Sequence, residues 1–176
     1  MMSDHSSDSL PSSLSSFSSN SLSNSLGNSL SDSSPQQFLG FLLGSTHRRI
    51  SVSFARALKP YDITPEQWST LLIICDRSGM NQKEVADTAA KDQPTTARIV
   101  ELLLKKGFIR KQPNPGDRRA FQLYATEEGK ELINSTLSLE RQATNAAVAG
   151  LSAQQLEELR SMLEHIYHNT GNLQHE

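Results

Sequence analysis

The chain has 176 residues with a formal net charge of −2 and 36% hydrophobic residues: room for one ordinary domain, too little for two large ones, and less apolar than a wholly globular chain. Its single cysteine, Cys75, excludes an intrachain disulfide framework and a cysteine-based zinc finger, and its longest all-apolar run, Leu71–Cys75, is far short of a membrane span. The N-terminus is acidic at Asp4 and Asp8 and carries neither a basic nor an apolar signal region, so a cytoplasmic protein with no membrane partner is expected.

Residues 1–34 contain seventeen Ser, three Asp and no Lys or Arg. Leu10, Leu14, Phe17, Leu22, Leu26 and Leu30 fall near helical spacing, and Asn-Ser-Leu recurs at 20–22, 24–26 and 28–30. Ser and Asn side chains compete for backbone hydrogen bonds and oppose helix interiors, so the composition predicts a disordered tail over residues 1–34. Ser34-Pro35 then reads as an N-cap with Pro at the first helical position. Leu39, Leu42, Leu43, Thr46, Ile50, Phe54 and Ala57 recur at threes and fours and predict a long amphipathic helix ending before Pro60.

Thr64-Pro65-Glu66-Gln67 is a capping box, behind which Trp68, Leu71, Leu72 and Cys75 share a stripe that closes at Gly79. Asn81-Gln82-Lys83-Glu84 is a second capping box and opens a short helix with Val85, Ala86 and Ala89 inward. After the turn at Lys91-Asp92, Asp92 caps a helix that buries Thr96, Ile99, Val100 and Leu103 and stops at Gly107. Three helices in quick succession, the last two joined by a very short turn, predict a helix-turn-helix core.

Beyond Gly107 the period changes. Phe108–Gln112 is a predicted strand, and Ala120–Ala125 alternates Phe121, Leu123 and Ala125 against Gln122 and Tyr124. Pro113–Arg119 between them is too long and basic for a minimal hairpin turn and is expected to project as a flexible loop. Thr126 caps a helix rich in Leu and Ala, broken near Gly150, and Ser152 with Gln155 caps a final helix. Charge is sorted along this order. Residues 93–119 hold Arg98, Lys105, Lys106, Arg110, Lys111, Arg118 and Arg119 against Glu101 and Asp117, whereas residues 120–176 hold eight acids against three bases. That is a local electrostatic footprint within a chain of net negative charge, open to two readings, a solvated basic face or a surface for a polyanion.

A recognition helix must bury one stripe and free the other. With Thr96, Ile99, Val100 and Leu103 inward, the free face carries Gln93, Pro94, Thr95, Ala97 and Arg98. Gln93 and Arg98 are candidates for base edges in the major groove, Thr95 for a base edge or phosphate, and Pro94 or Ala97 for van der Waals contact. Lys105, Lys106, Arg110 and Lys111 are read as phosphate neighbours or solvated charges. The alternative for Arg98 is a phosphate contact alone, and for Gln93 a role in its own helix start.

The chain resembles the multiple-antibiotic-resistance regulator (MarR) family of winged helix-turn-helix transcription factors from about Phe38 to Tyr167. The stretches that carry the likeness are Ile63-Thr64-Pro65-Glu66-Gln67-Trp68, Gln82-Lys83-Glu84-Val85-Ala86, Lys91–Val100, Lys105-Lys106-Gly107-Phe108-Ile109 and Pro113–Ala120, followed by Leu123, Thr126, Glu127, Gly129 and Lys130. The resemblance implies a mainly α fold (α+β), a winged helix-turn-helix over residues 61–126 with a two-stranded wing, and dimerisation helices over residues 35–60 and 127–176. It implies a homodimer on double-stranded DNA, more often a repressor than an activator. Phe38, Leu39, Leu42, Leu43, Leu159, Leu163 and Ile166 offer the apolar surface such a dimer needs, and a twofold interface calls for a pseudo-palindromic site.

Asp117 and Arg119 resemble the family's Asp-x-Arg pair, in which the acid orients a guanidinium toward the minor groove. Arg118 and Arg119 are both candidates for the inserting residue. Many family members release DNA when a small anionic or phenolic effector binds between the dimer helices and the winged lobe. By that analogy His47, Arg48 and Trp68 face the effector, against the plainer reading of packing residues. Cys75 shares an apolar stripe, which opposes a redox-sensing variant. For a metal-sensing one, His165 and His168 with Glu164 lack a third ligand at diagnostic spacing. No phosphate-binding Gly-rich loop or catalytic triad pattern marks an enzyme, and no cofactor is expected. The remaining alternative is a winged-helix protein-interaction module that does not bind DNA.

Overall fold

A computed structural model describes residues 38–114 and 116–172; the side chains of residues 117–119 and 171–172 lie outside that description. The Ser-rich segment 1–34, expected to be disordered, and the expected cap at Ser34-Pro35 also lie outside the described residues. Helix α1 (Leu39–Leu58) runs into a 3-10 turn (Lys59–Tyr61) at Pro60, which cannot continue an α-helix. Then follow α2 (Pro65–Asp76), α3 (Gln82–Thr88), α4 (Gln93–Lys105), strands β1 (Ile109–Asn114) and β2 (Asp117–Ala125), α5 (Glu127–Ala147) and α6 (Ala153–Asn172). The fold is mainly helical with one two-stranded antiparallel sheet, the winged helix-turn-helix that the sequence predicts.

The helix starts follow their local chemistry. Thr64 and Asn81 each accept from the N3 backbone N–H while Gln67 and Glu84 reach back to the cap, forming both expected capping boxes. Thr126 caps α5 through the Gly129 N–H, and Ser152 and Gln155 satisfy each other at the start of α6. The chain separates after Thr46 into two compact units, and the second, from His47 onward, holds the core. There Leu58, Leu71, Ile74, Val85 and Leu103 are fully enclosed, with Ile109 and Leu123 of the sheet and Ile133 of α5 joined to them.

Two close fits fix α5 against the end of α4. Thr126 donates its backbone N–H to Phe108 O at 3.0 Å and its hydroxyl to Gly107 O at 2.7 Å. Gly129 sits against the Phe108 carbonyl, where any Cβ would collide with backbone. Ten residues along α5 from Thr126, Thr136 Oγ1 accepts the Trp68 indole N–H at 2.8 Å and donates to Leu132 O, so this buried polar pair is fully satisfied.

The wing differs from expectation in three respects. Its strands run closer to the tip than Phe108–Gln112 and Ala120–Ala125, and only residues 115 and 116 separate them. Pro113–Arg119 is therefore not a free loop. A register shift after Pro113 brings Asn114 opposite Asp117, and Asn114 Oδ1 accepts the Gly116 N–H at 2.9 Å, so a side chain supplies the turn's hydrogen bond. Phe121, expected inward, is 47% exposed beyond the edge of the core, with the Lys111 ammonium 5.1 Å from its ring centre; Leu123 and Ala125 are buried as expected. Finally, Gly79 N–H donates to Leu123 O and Leu123 N–H to Met80 O, so the α2–α3 connection pairs with β2 and fastens the wing base.

Candidate nucleic-acid interface

Helix α4 is placed by the turn before it. Ala89, Ala90 and Lys91 close α3 with Ala90 N–H donating to Asp87 O and Lys91 N–H to Ala86 O, a paired termination that puts Ala90 at φ 49°. The end of α4 repeats the pattern with glycine, Gly107 at φ 75°, where the left-handed conformation carries no Cβ penalty. Directly after the α3 turn, Asp92 caps α4, accepting the Thr95 N–H at 2.7 Å. Hydrogen bonds from Thr95, backbone first, hold the Asp92 carboxyl below its ordinary value, with the neighbouring Lys91 charge acting in the same direction.

Thr96, Ile99, Val100 and Leu103 are buried, as the periodicity predicts. Gln93, Pro94, Thr95 and Arg98 are exposed on the opposite face and Ala97 is half-buried. The first two turns of α4 therefore offer an amide, a hydroxyl and a guanidinium near the positive end of a helix dipole. The backbone of Asp117, Arg118 and Arg119 opens β2 next to the wing turn, and their side chains lie outside the described residues.

The remaining cations of the basic block divide. Lys106 is not free: its ammonium pairs with Asp62 Oδ2 at 3.0 Å and also donates to the Asp62 carbonyl, tying the end of α4 to the turn before α2. Arg110 lies 5.0 Å over the ring of Tyr124, its partner in the β1–β2 register. Stacked cations of this kind keep their charge at the surface while the ring restricts their freedom. Lys105 is exposed.

A second feature is a cavity of about 360 Å³ within the His47–Glu176 unit. Two of the three effector candidates, His47 and Trp68, line it; Arg48 is exposed on α1 and is not among the lining residues. Phe54 meets Trp68 edge to face, centroids 5.0 Å apart, and forms an apolar wall. Sequence reasoning missed the polar part of the lining. Glu66 of α2, Glu140 of α5 and Lys91 of the α3–α4 turn all face the space, and Glu140 accepts from the Thr144 hydroxyl at 2.8 Å. The one local signal was His47 and Ser51 at i, i+4, which approach to 3.4 Å.

Cys75 is half-buried, and desolvation pushes its thiol above the ordinary range against the opposing Lys130 charge. His165 and His168 are exposed on α6, and among the described residues no three His, Cys, Asp or Glu side chains are grouped to hold a metal. No described helix is long and apolar enough to cross a membrane.

Residues 63–121, from the buried Ile63 to the wing, match the model of the MarR family. The helix-turn-helix-type transcriptional repressor NicR of Pseudomonas putida is 30% identical over 115 residues, 65% of this chain and 73% of that protein. The chain belongs to the MarR family. A second relative, the helix-turn-helix-type transcriptional repressor IacR of Pseudomonas putida, is 27% identical over 138 residues, 78% of this chain and 83% of its own length. Among solved structures, the transcriptional repressor CouR bound to a 23-mer DNA duplex aligns with a TM-score of 0.69 at 26% identity, covering 75% of this chain and 94% of that one. As a MarR-family member the protein is a transcriptional regulator, from a family of regulators rather than enzymes. Its α3–α4 pair is the helix-turn-helix and its β1–β2 hairpin the wing.

Proposed function

We propose that this MarR-family protein is a repressor that binds a pseudo-palindromic operator as a homodimer and is released by a small anionic or phenolic effector. The observation that carries the DNA-binding reading is the division of α4, four residues buried and Gln93, Thr95 and Arg98 exposed at its capped start. Gln93 and Arg98 read base edges, Thr95 a base edge or phosphate, and Pro94 and Ala97 the groove wall. Asp117 with Arg118 or Arg119 serves the minor groove at the wing. The names of NicR and IacR support repression, and the CouR complex supports a duplex partner.

Residues 35–60 and 127–176 supply the dimer interface and 61–126 the DNA-binding lobe. In support, Leu39 and Leu42 of α1 and Phe38 just before it are exposed, and so, separately, are Leu159, Met162, Leu163 and Tyr167 of α6, large apolar side chains that a monomer would leave in water. His47 and Trp68 contribute to the effector cavity.

The test is a selection of bound duplexes followed by gel-shift titration. Wild-type protein is expected to bind the selected site and, more weakly, random duplex. Arg98→Ala should weaken the selected site by about tenfold or more, for roughly 1–3 kcal/mol of lost base discrimination, with a smaller effect on random duplex. Failure to bind any duplex in dilute buffer overturns the reading in favour of a protein-interaction module.

A further inference from the structure

Lys106 stands where the recognition helix α4 joins the rest of the lobe. It is the C-cap of α4, its backbone N–H donating to Leu102 O, and its side chain turns back to the junction between α1 and α2. There the ammonium pairs with Asp62 Oδ2 at 3.0 Å and donates to the Asp62 carbonyl, so two of its three donors are engaged. The other ion pairs among the described residues join positions no more than three apart, whereas this one spans 44 residues of chain. Asp62 is itself a fixed point. It lies between the 3-10 turn, whose Lys59 carbonyl accepts its N–H, and the buried Ile63, and it holds the left-handed conformation at φ 50°, which Asp tolerates better than most residues. The Lys106 side chain is 24% exposed, so it lies along the lobe rather than out into solvent. Gly107 O and Phe108 O complete the joint by accepting the Thr126 hydroxyl and N–H at the start of α5.

We propose that Lys106 is a positioning residue for operator reading: by holding Asp62 it fixes the angle of α4 on the lobe, and with it the directions of Gln93, Thr95 and Arg98, and it contributes no phosphate contact of its own. The inference rests on the DNA-binding reading above. Base contacts demand closer alignment than phosphate contacts, which carry no sequence information, so releasing the joint costs selectivity before it costs general affinity for a duplex. A lysine that gripped phosphate would behave in the opposite way. It would contribute to every duplex, and removing the Asp62 charge beside it would strengthen binding.

The experiment titrates the full chain against the selected duplex and a random duplex of equal length, by anisotropy across a salt series. Asp62→Asn keeps the carbonyl acceptor and the tolerance of a left-handed backbone, removes only the charge, and sits at an exposed position away from the core. It is expected to weaken the selected site by about threefold to fivefold, the reach of one ion pair, with random duplex nearly unchanged. Lys106→Met, which also loses the bond to the carbonyl, should weaken the selected site by about tenfold. The two changes together should cost no more than Lys106→Met alone, because both open one joint. In each variant the slope of log affinity against log salt should stay at the wild-type value.

An Asp62→Asn protein that binds the selected site as tightly as wild type, or more tightly, overturns the proposal. So does a Lys106→Met slope shallower by about two, the mark of one lost phosphate contact in each subunit of a dimer. A loss shared equally by both duplexes, as a shortage of folded protein would give, overturns it too. Wild-type protein that binds no duplex at all overturns instead the functional reading beneath it.

Discussion

At the scale of single residues, the Trp68–Thr136 hydrogen bond shows how a buried polar pair is committed. Thr136 is fully enclosed, its oxygen accepting from the indole and donating to α5's own backbone. Thr136→Val preserves shape and removes the acceptor, leaving the Trp68 N–H buried without a partner. The expected loss is about 1–3 kcal/mol of unfolding free energy in a denaturant titration, with a shift of tryptophan emission in the folded state. This pair joins positions 68 apart and left no mark in the sequence, where Trp68 is legible as part of an apolar stripe and, by family analogy, as an effector-facing residue, but not as a hydrogen-bond donor to α5. The Lys106–Asp62 pair, 44 residues apart, was equally hidden, so Lys106 reads in the sequence as a phosphate neighbour or solvated charge when it is held by a carboxylate. The Thr64, Asn81, Asp92 and Thr126 caps were legible because each interaction spans three residues of chain.

At the scale of elements, α4 depends on Asp92. Because Thr95 hydrogen bonds depress the Asp92 carboxyl, the unfolded chain takes up a proton there at a higher pH than the folded one. The stabilisation is therefore complete above the unfolded value, near pH 4, and is lost as pH falls through the lower folded value. Asp92→Ala is expected to lower the thermal midpoint at pH 7, with the difference from wild type shrinking below about pH 4. Asp92→Asn, which also caps, should lose less at pH 7. Thermal melts by circular dichroism across that range check both.

The wing is the element that local pattern described least well. Alternation placed Leu123 and Ala125 inward but not the limit of the core that leaves Phe121 outside. Nor did it contain the pairing of Leu123 with Met80, which joins segments distant in the chain. The Asn114–Gly116 hydrogen bond belongs to a turn whose prolines and basic residues read as a loop. Strand extent depends here on the partner strand and its register, neither of which is encoded in a short window.

At the scale of the whole molecule, charge is distributed by role. The basic residues cluster from Arg98 to Arg119 and the acids dominate after Ala120, so one region suits a polyanion while the other repels it. If each subunit of the proposed dimer neutralises about four phosphates, log affinity should fall with log salt at a slope of about −7, measured by gel shift or anisotropy across a salt series. Leu163→Glu tests the dimer that doubles those contacts. Leu163 is 41% exposed on α6, so the change should leave the helical signal intact while sedimentation shows a monomer and DNA affinity falls by about a hundredfold or more. A dimer that survives this change places the interface elsewhere.

The fit of Gly129 against the Phe108 carbonyl has a mechanical corollary. With Thr126 bonded to Gly107 and Phe108, and Thr136 bonded to Trp68, the stretch of α5 from Glu127 to Thr136 is bolted at both ends to the winged lobe. Any swing of that lobe must carry this part of the helix along as a rigid lever, which leaves the flexing to α5 residues beyond Thr136.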